Sequence, residues 1–336
     1  MADIVDLAVC RREVCDLNQN IVYMYSGQGS QYYGMARTLF EGNSIFRDCM
    51  ENFDRIVKGI SGRTVIQELY FSGRTMSQSF DRLILTHPAI FMVEYSLTQM
   101  LYGEGIRPTE IIGSSLGLYT CLSVAEVIQP EEMLEFIVRQ AMVIEEYCEL
   151  GGMIAVLADY GLFSNIPIMY NNTELVSISH DNHFVISGEI NGINMVEGFL
   201  TENKITFFRL PVSYGFHSKT LDSVYDKFIQ LAKRLNYAPP KLKIYSNKDA
   251  KSIKEIKAEF LWEIVRGSIE FPRLLKNFDN EQYNIFIDVG PAGTLANIAK
   301  GILKKDKHLF GILSQFNTEK RNIDRIKNFL ENRLCS

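Results

Sequence analysis

The residues best suited to chemistry form the run Gly113-Ser114-Ser115-Leu116-Gly117, which reads G-x-S-x-G. An apolar stretch typical of a strand precedes it, and the helix-compatible run Leu118–Val127 follows it. Glycines on both sides allow a strained turn between strand and helix, which exposes the serine hydroxyl at the helix N-terminus. The amide of Leu116 then points to where an oxyanion would form, and the helix dipole favours negative charge there. Ser115 is therefore a candidate nucleophile, with an ordinary Gly/Ser turn that caps a helix as the alternative.

A second glycine-rich turn, Ser26–Gln31, follows the short apolar strand Ile21–Tyr25. It matches neither G-x-G-x-x-G nor G-x-x-x-x-G-K-[ST], so the sequence does not indicate a phosphate-binding loop. The alternative is that the backbone amide of Gln28 points into the same site from a second strand. It would then be the second hydrogen-bond donor to an oxyanion.

One of the five histidines has a position typical of the base that activates a serine. His217 follows a predicted strand, in a glycine-containing turn at the start of a predicted helix. A lone histidine is more often a core or surface residue, so this assignment depends on the other motifs. His180 and His183 lie in a turn with only Asp181 nearby, and we expect no metal site there.

Size and charge limit the classes of function. The chain has 336 residues, 46% of them hydrophobic and 22% charged, which suffices for a main core and a smaller satellite domain. The net charge of −5 and the scattered basic residues give no reason to expect nucleic acid as a partner. No apolar run is long enough to cross a membrane, and the N-terminus does not resemble a signal peptide. The dispersed cysteines favour reduced thiols in a cytoplasmic protein.

The order and type of the predicted strands and helices that must position these residues differ between parts of the chain. Residues 1–20 are polar and are predicted to be an N-terminal extension. Residues 21–147 and 213–336 alternate strands with helices, which predicts a parallel sheet covered by helices in one large domain. Between them, residues 148–212 contain short strands and a helix that suit an inserted antiparallel subdomain of split-βαβ type.

Three local expectations concern the large domain. The sequence around His87 and Pro88 is predicted to break the helical structure, and a long apolar helix is predicted to follow over Ile90–Tyr102. A helix is predicted over Leu221–Leu235 and a strand over Leu242–Ser246.

Four motifs, taken in order, resemble those of the malonyl-CoA:acyl-carrier-protein transacylases and the acyltransferase domains of polyketide synthases. They are Ser26–Gln31, Gly113–Gly117, Gly215–Ser218 and Asp288–Pro291. The resemblance covers residues 21–312 and implies an α/β-hydrolase-like large domain with an inserted ferredoxin-like small subdomain. We expect the small subdomain to cover the acyl pocket and to form part of a carrier-protein surface.

The resemblance also implies roles for individual residues. Ser115 would be the nucleophile and His217 its base, and the amides of Gln28 and Leu116 would form the oxyanion hole. Substrate-binding positions would be Gln140, Ser114, Tyr214, Phe216 and His87. In the family a backbone carbonyl orients the histidine, and that carbonyl would fall near Gly267 or Ser268.

Departures from the family pattern bear on the substrate. Ser114 and Leu118 stand where the family usually has His and Glu. Counted without gaps, the arginine that holds a malonyl carboxylate corresponds to Gln140, whereas Arg139 is its neighbour, about 100° away on a helix. A neutral glutamine cannot supply a charge-assisted hydrogen bond, worth about 1.5–3 kcal/mol. Such a pocket should lose its preference for malonyl groups and accept uncharged acyl chains.

The same motifs resemble the stand-alone acyl hydrolases of trans-acyltransferase polyketide synthase clusters. The predicted function is therefore removal of stalled acyl groups from acyl-carrier proteins through an acyl-serine intermediate. An acyltransferase that loads malonyl groups through Arg139, or loads other acyl units, is the alternative. A non-catalytic carrier-protein docking module is a third hypothesis, disfavoured because Ser115, His217 and Gln28 are all present.

The resemblance further implies the substrates and partners. No cofactor is expected, because the acyl groups arrive on the phosphopantetheine of an acyl-carrier protein or on coenzyme A. The expected partners are acyl-carrier proteins of a polyketide synthase, with no nucleic acid and no membrane, and the protein is expected to be a monomer.

Overall fold

The computed structural model of this chain describes residues 20–180, 182–246, 250–279 and 285–334. All but the last residue of the predicted N-terminal extension, together with Asp181, lies outside the described residues. The cysteines within these ranges are Cys49, Cys121 and Cys148, all of them free thiols.

Within the described ranges the chain forms two sets of strands separated by helices. The strands are β1 (Ile21–Tyr25), β2 (Glu110–Gly113), β3 (Gly151–Val156), β4 (Glu174–His180), β5 (His183–Glu189), β6 (Phe207–Arg209), β7 (Ile244–Tyr245), β8 (Ser252–Ile253), β9 (Ile285–Asp288) and β10 (His308–Gly311). The α-helices are α1 (Arg37–Gly42), α2 (Ser44–Ser61), α3 (Leu83–Gly103), α4 (Gly117–Val124), α5 (Pro130–Tyr147), α6 (Gly161–Asn165), α7 (Pro167–Tyr170), α8 (Ile190–Glu202), α9 (Tyr225–Ala232), α10 (Ala258–Arg266), α11 (Phe271–Asp279), α12 (Thr294–Ile302) and α13 (Glu319–Leu334).

The large domain is built on a parallel sheet with the strand order β10-β9-β1-β2. Its central strand β1 is buried along its whole length, as expected for a parallel strand covered on both faces. Tyr25 pairs with Gly113, and Met24 pairs with Asp288, so the carboxyl ends of β1, β2 and β9 coincide. The loops that follow these three strands therefore meet at one edge of the sheet, where open α/β sheets place their sites.

The small subdomain is an antiparallel sheet with the order β4-β5-β3-β6. Helices α6 and α7 connect its first and second strands, and α8 connects its third and fourth. Read in chain order, this is a βαββαβ unit, the ferredoxin-like arrangement that the sequence predicts. Its own core includes Ile154, Phe184, Ile186 and Val196. The molecule thus has the predicted α/β class, with an α/β-hydrolase-like large domain and a ferredoxin-like small one.

Helix α3 differs from its prediction, because it runs unbroken from Leu83 to Gly103 through Pro88. Proline lacks the N–H that would bond the carbonyl of Ile84, and inside a helix it costs about 3 kcal/mol. The first turns are nevertheless buried, with Leu83 and Leu85 in the main core. Burying one large apolar side chain contributes about 1.5–3 kcal/mol, so two of them offset the proline.

Two further elements are shorter than predicted. A 3₁₀ helix covers Lys219–Val224 and α9 ends at Ala232, where the Tyr237 hydroxyl donates to the last carbonyl. The segment predicted as a strand forms only β7, which pairs with β8 and reaches β2 by one bridge from Lys243. Although α3 is long and apolar, no helix within the described ranges meets the requirements for crossing a membrane.

Candidate active site

Ser115 lies in a tight turn between β2 and α4. Its φ of 52° is left-handed, which costs a non-glycine residue about 1–3 kcal/mol and marks a functional constraint. A Cβ atom at Gly117 would lie 2.2 Å from the Tyr25 carbonyl oxygen, and one at Gly113 would lie 2.7 Å from the Leu118 nitrogen. Only glycine fits at these two positions, because Gly117 packs against the end of β1 and Gly113 against the start of α4.

Ser115 and His217 are in hydrogen-bond contact. The Ser115 Oγ atom lies 2.8 Å from His217 Nε2, and His217 Nδ1 lies 2.6 Å from the carbonyl oxygen of Gly267. A carbonyl only accepts, so Nδ1 carries the proton, and Nε2 is left to accept from the serine hydroxyl. The His217 backbone, at a φ of 62°, is held by a bond from its N–H to the Val265 carbonyl. Gly267 is one of the two candidate carbonyls named from the sequence.

The environment of His217 keeps its ring neutral. Burial, together with the smaller effect of nearby Arg266, lowers the pKa of His217 to about 4, against the opposing effect of the Gly267 bond. A neutral imidazole is the form that takes a proton from a serine hydroxyl. The arrangement is thus a serine nucleophile, a histidine base and a carbonyl that orients the base.

The pH dependence of Ser115 reactivity should report this pKa. We expect the rate of Ser115 modification by a fluorophosphonate to fall on acidification with a midpoint near pH 4, because protonated His217 cannot accept the serine proton. The measurement is labelling rate against pH, with circular dichroism at each pH to verify folding. A midpoint near 6.5, that of an ordinary histidine, would contradict the burial of the ring.

The Gln28 loop packs directly on the serine turn. A Cβ atom at Gly27 would lie 2.8 Å from the Ser114 carbonyl oxygen and 3.3 Å from the Leu116 nitrogen. Gln28 and Ser115 also line the same cavity. The backbone amides of Gln28 and Leu116 are therefore the candidates for an oxyanion hole, in agreement with the sequence.

A cavity of about 260 Å³ opens over Ser115 between the two domains. Its walls come from the loops after β1 and β2, from the start of α11 and α12, and from one face of the small sheet. The small subdomain thus covers the nucleophile, as expected. The lining residues are Ser26, Gly27, Gln28, Gly29, Ser30, Ser114, Ser115, Met153, Ala155, Val176, Ser177, Ser179, His183, Val185, Leu210, Phe216, His217, Ile269, Phe271, Pro272, Thr294, Leu295 and Ile298.

Of the five predicted substrate-binding residues, only Ser114 and Phe216 line this cavity. His87 contacts Gln28 instead, with its Nε2 3.2 Å from the Gln28 side-chain Oε1. Burial lowers the pKa of His87 to about 3, so it is a neutral hydrogen-bond partner. Tyr214 does not line this cavity and is buried in the main core.

Gln140 also lies outside the cavity lining. It is fully buried on α5, and its Oε1 accepts a hydrogen bond of 2.9 Å from the Tyr119 hydroxyl. The cavity wall therefore does not include Gln140, whose side-chain oxygen is bonded within the core. Helical spacing alone does not reveal how far a side chain extends toward a site.

Arg139 faces away from the cavity. Its side chain is 46% exposed, and its Nε donates to Glu135 at 2.8 Å, one turn earlier on α5. It lines a separate surface groove with Arg234 and Leu235. The proposed rescue of a malonyl site by Arg139 therefore finds no support in the structure.

Two buried carboxylates beside the site were not identified as functional from the sequence. Asp288, at the end of β9, accepts from the amides of Gly290 and Ala296, and burial raises its pKa to about 6. Glu94, on α3, accepts from Ser26 and Thr120. For Glu94, the available signal in the sequence was a single acidic residue within an otherwise apolar helix. No cluster of three or more potential metal ligands occurs in the described part of the chain.

Comparison with known sequences identifies relatives over nearly the whole chain. Residues 22–333 match the family model described as acyl transferase domain. The polyketide biosynthesis acyltransferase homolog BaeD of Bacillus velezensis is 38% identical, over 93% of this chain and 97% of that protein. The homolog PksD of Bacillus subtilis is 36% identical, with the same coverage of 93% and 97%.

Solved structures share the fold at lower identity. The acyltransferase domain from the second module of the salinomycin polyketide synthase superposes with a TM-score of 0.80 at 24% identity, over 91% of this chain and 72% of that one. MCAT from Streptococcus pneumoniae gives a TM-score of 0.76 at 19% identity, over 91% of this chain and 100% of that one. The chain therefore belongs to the acyl transferase domain family and is an enzyme of the serine type that acts on acyl thioesters.

Proposed function

We propose that this enzyme is an acyl hydrolase that removes stalled, uncharged acyl groups from acyl-carrier proteins during polyketide biosynthesis. The names of its 38% and 36% identical relatives support the pathway. The observation that carries the substrate class is the cavity over Ser115, whose described lining contains no lysine or arginine.

Acylation follows from the positions of the reacting groups. Ser115 Oγ attacks the thioester carbonyl carbon while His217 Nε2 takes its proton, and the Gly267 carbonyl stabilises the imidazolium through Nδ1–H. The amides of Gln28 and Leu116 bind the oxyanion. The C–S bond then breaks, and His217 returns the proton to the departing thiolate of phosphopantetheine.

Deacylation repeats the steps with water. His217 takes a proton from a water that attacks the ester carbonyl, and the same amides bind the second oxyanion. The bond between the acyl carbon and Ser115 Oγ then breaks, and His217 returns the proton to Oγ. The products are a free carboxylic acid and a carrier protein with its thiol restored. This step separates a hydrolase from a transferase.

The cavity favours neutral acyl groups on electrostatic grounds. A malonyl carboxylate would have to leave water beside Ser115, and an unpaired buried charge is strongly disfavoured. Apolar chains find contacts in Met153, Val176, Val185 and Leu210. With Gln140 bonded to Tyr119 and Arg139 bonded to Glu135, neither α5 candidate for a carboxylate contact lies on the cavity wall.

Competition between acetyl- and malonyl-carrier protein tests the substrate class. We expect wild type to load acetyl on Ser115 in preference to malonyl, because the described lining of the cavity offers no lysine or arginine to pair with the malonyl carboxylate. Met153→Lys should shift the ratio toward malonyl by about 10- to 100-fold, the equivalent of one charge-assisted hydrogen bond. Intact-protein mass spectrometry of the acyl-enzymes gives the ratio.

Met153→Leu is the matched control, since it alters the same wall without adding charge, and its ratio should equal that of wild type. Efficient malonyl loading by wild type would overturn the proposed substrate class.

Transfer to a carrier protein is the second candidate function, favoured by the acyl transferase family match. The fate of the acyl group on Ser115 separates the two. Isolated acyl-enzyme is mixed with holo carrier protein, and free acid and acyl-carrier protein are quantified over time. Hydrolysis predicts that free acid dominates at the same rate with or without carrier protein, whereas transfer predicts that acyl-carrier protein accumulates.

A further inference from the structure

Glu94 is a fully buried acidic residue on α3 whose side-chain oxygens make three hydrogen bonds. Its Oε1 accepts from the Ser26 backbone N–H at 2.8 Å and from the Ser26 hydroxyl at 3.2 Å. Its Oε2 accepts from the Thr120 hydroxyl at 2.7 Å. The two partners belong to different segments, the loop after β1 and the helix α4.

These segments carry the two candidate oxyanion donors. Ser26 is two residues before Gln28, and Thr120 is four residues, about one helical turn, after Leu116. One carboxyl group therefore links the Gln28 loop to the helix that follows the nucleophile. The angle and separation between the two amides depend on how these segments are held relative to each other.

The same face of α3 holds the loop at a second point. His87 precedes Glu94 by seven residues, or two helical turns, so both side chains project from one face. His87 bonds the side chain of Gln28, whereas Glu94 bonds the backbone at Ser26. The loop is thus fixed by polar contacts from a rigid, buried helix on both sides of Gly27.

From this geometry we infer that Glu94 is a positioning residue that sets the oxyanion hole by holding the Gln28 loop against the helix that begins after Leu116. The inference rests on the proposed acyl-serine chemistry, in which these amides bind the oxyanion.

Burial energetics argue against a mere core-filling role. Burial raises the pKa of Glu94 to about 8, although the bonds from Thr120 and Ser26 oppose this. A buried acid is costly, and an apolar residue of similar size is often as stable or more so at such a site. What an apolar residue cannot do is accept the Ser26 N–H and bridge it to Thr120.

The test compares variants that keep the core filled. Glu94→Leu removes all three acceptor contacts, and we expect kcat for acetyl-pantetheine to fall about 10²-fold, the effect of a lost oxyanion donor, with KM within about twofold. Glu94→Gln should recover most of the activity, because its oxygen can accept from Ser26 and its NH₂ can donate to the Thr120 hydroxyl. Thr120→Val removes one contact and should lower kcat by about threefold to tenfold, on the scale of one hydrogen bond.

Inhibitor affinities separate positioning from general damage. A trifluoromethyl ketone of pantetheine forms an oxyanion on Ser115, whereas the matching thioether does not. Affinity for the ketone should fall in Glu94→Leu by the same factor as kcat, with thioether affinity unchanged. The control is Thr98→Val, which removes a buried hydroxyl one turn further along α3, bonded to Tyr25, and should behave as wild type.

Each outcome bears on the inference. Equal losses of ketone and thioether affinity, or a Glu94→Leu enzyme as active as Thr98→Val, would overturn it while leaving the proposed function standing. If Glu94→Leu does not fold, Thr120→Val decides: wild-type kcat and ketone affinity in that variant overturn the inference. Failure of wild type to form any acyl-serine would overturn the proposed function itself.

Discussion

Ser115→Ala is expected to abolish acyl-enzyme formation and to lower thioester turnover by about 10⁴-fold or more. The large size follows from the mechanism, since without the Oγ atom there is no covalent intermediate and His217 has no hydroxyl to deprotonate. The turn, in which Ser115 has a left-handed φ of 52°, places the Ser115 hydroxyl 2.8 Å from His217. Mass spectrometry after incubation with acetyl-pantetheine measures the adduct, and thiol release measures turnover.

Ser123→Ala is the matched control for this variant. Ser123 is a buried serine on α4, the helix that follows Ser115, and its Oγ has no hydrogen-bond partner in the described structure. Its loss should leave both adduct and turnover unchanged. An adduct of wild-type mass in Ser115→Ala would show that another residue is acylated.

Local signals made the core of this site predictable. Glycine is required at 113 and 117 because a side chain at either position would collide with neighbouring backbone atoms. The G-x-S-x-G pattern therefore indicates this turn without help from a second motif. The strands before Gln28 and Ser115 are short and apolar, and parallel neighbours end at a common edge. The ferredoxin-like unit was predictable because the lengths of its short strands and helix suit a split-βαβ unit. The sequence pattern also changes at both of its ends.

Features that depend on distant packing were not predictable. Glu94 meets Ser26 and Thr120 at separations of 68 and 26 residues, and nothing in the sequence near Glu94 indicates either partner. Pro88 was taken as an interruption because local rules disfavour proline in a helix, yet core burial outweighs that preference.

The Gln140 assignment shows that spacing along the chain does not tell where a side chain points. The position follows from the spacing to Ser115, and the residue lies on the predicted helix. Its amide, however, bonds Tyr119, four residues after Ser115, within the protein core. The neutral character of the pocket therefore rests on the cavity wall as a whole, which only the three-dimensional structure shows.

His217→Ala is expected to reduce acylation of Ser115 by about 10²- to 10⁴-fold, the usual contribution of a positioned general base. The loss should be smaller than that of Ser115→Ala, because the serine hydroxyl and the oxyanion amides remain. Removing the ring also vacates space next to a cavity of about 100 Å³, which His217 and Gly267 help to line. Added imidazole can enter that space and accept the serine proton.

Imidazole rescue distinguishes loss of the base from loss of structure. The acylation rate of His217→Ala should rise with the concentration of neutral imidazole, and Ser115→Ala should show no rescue under the same conditions. His308→Ala, which removes a histidine that packs on Phe329 at the far edge of the sheet, should acylate at the wild-type rate. If His217→Ala acylates as fast as wild type without imidazole, the contact of 2.8 Å has no role in proton transfer and Ser115 must be activated by another group.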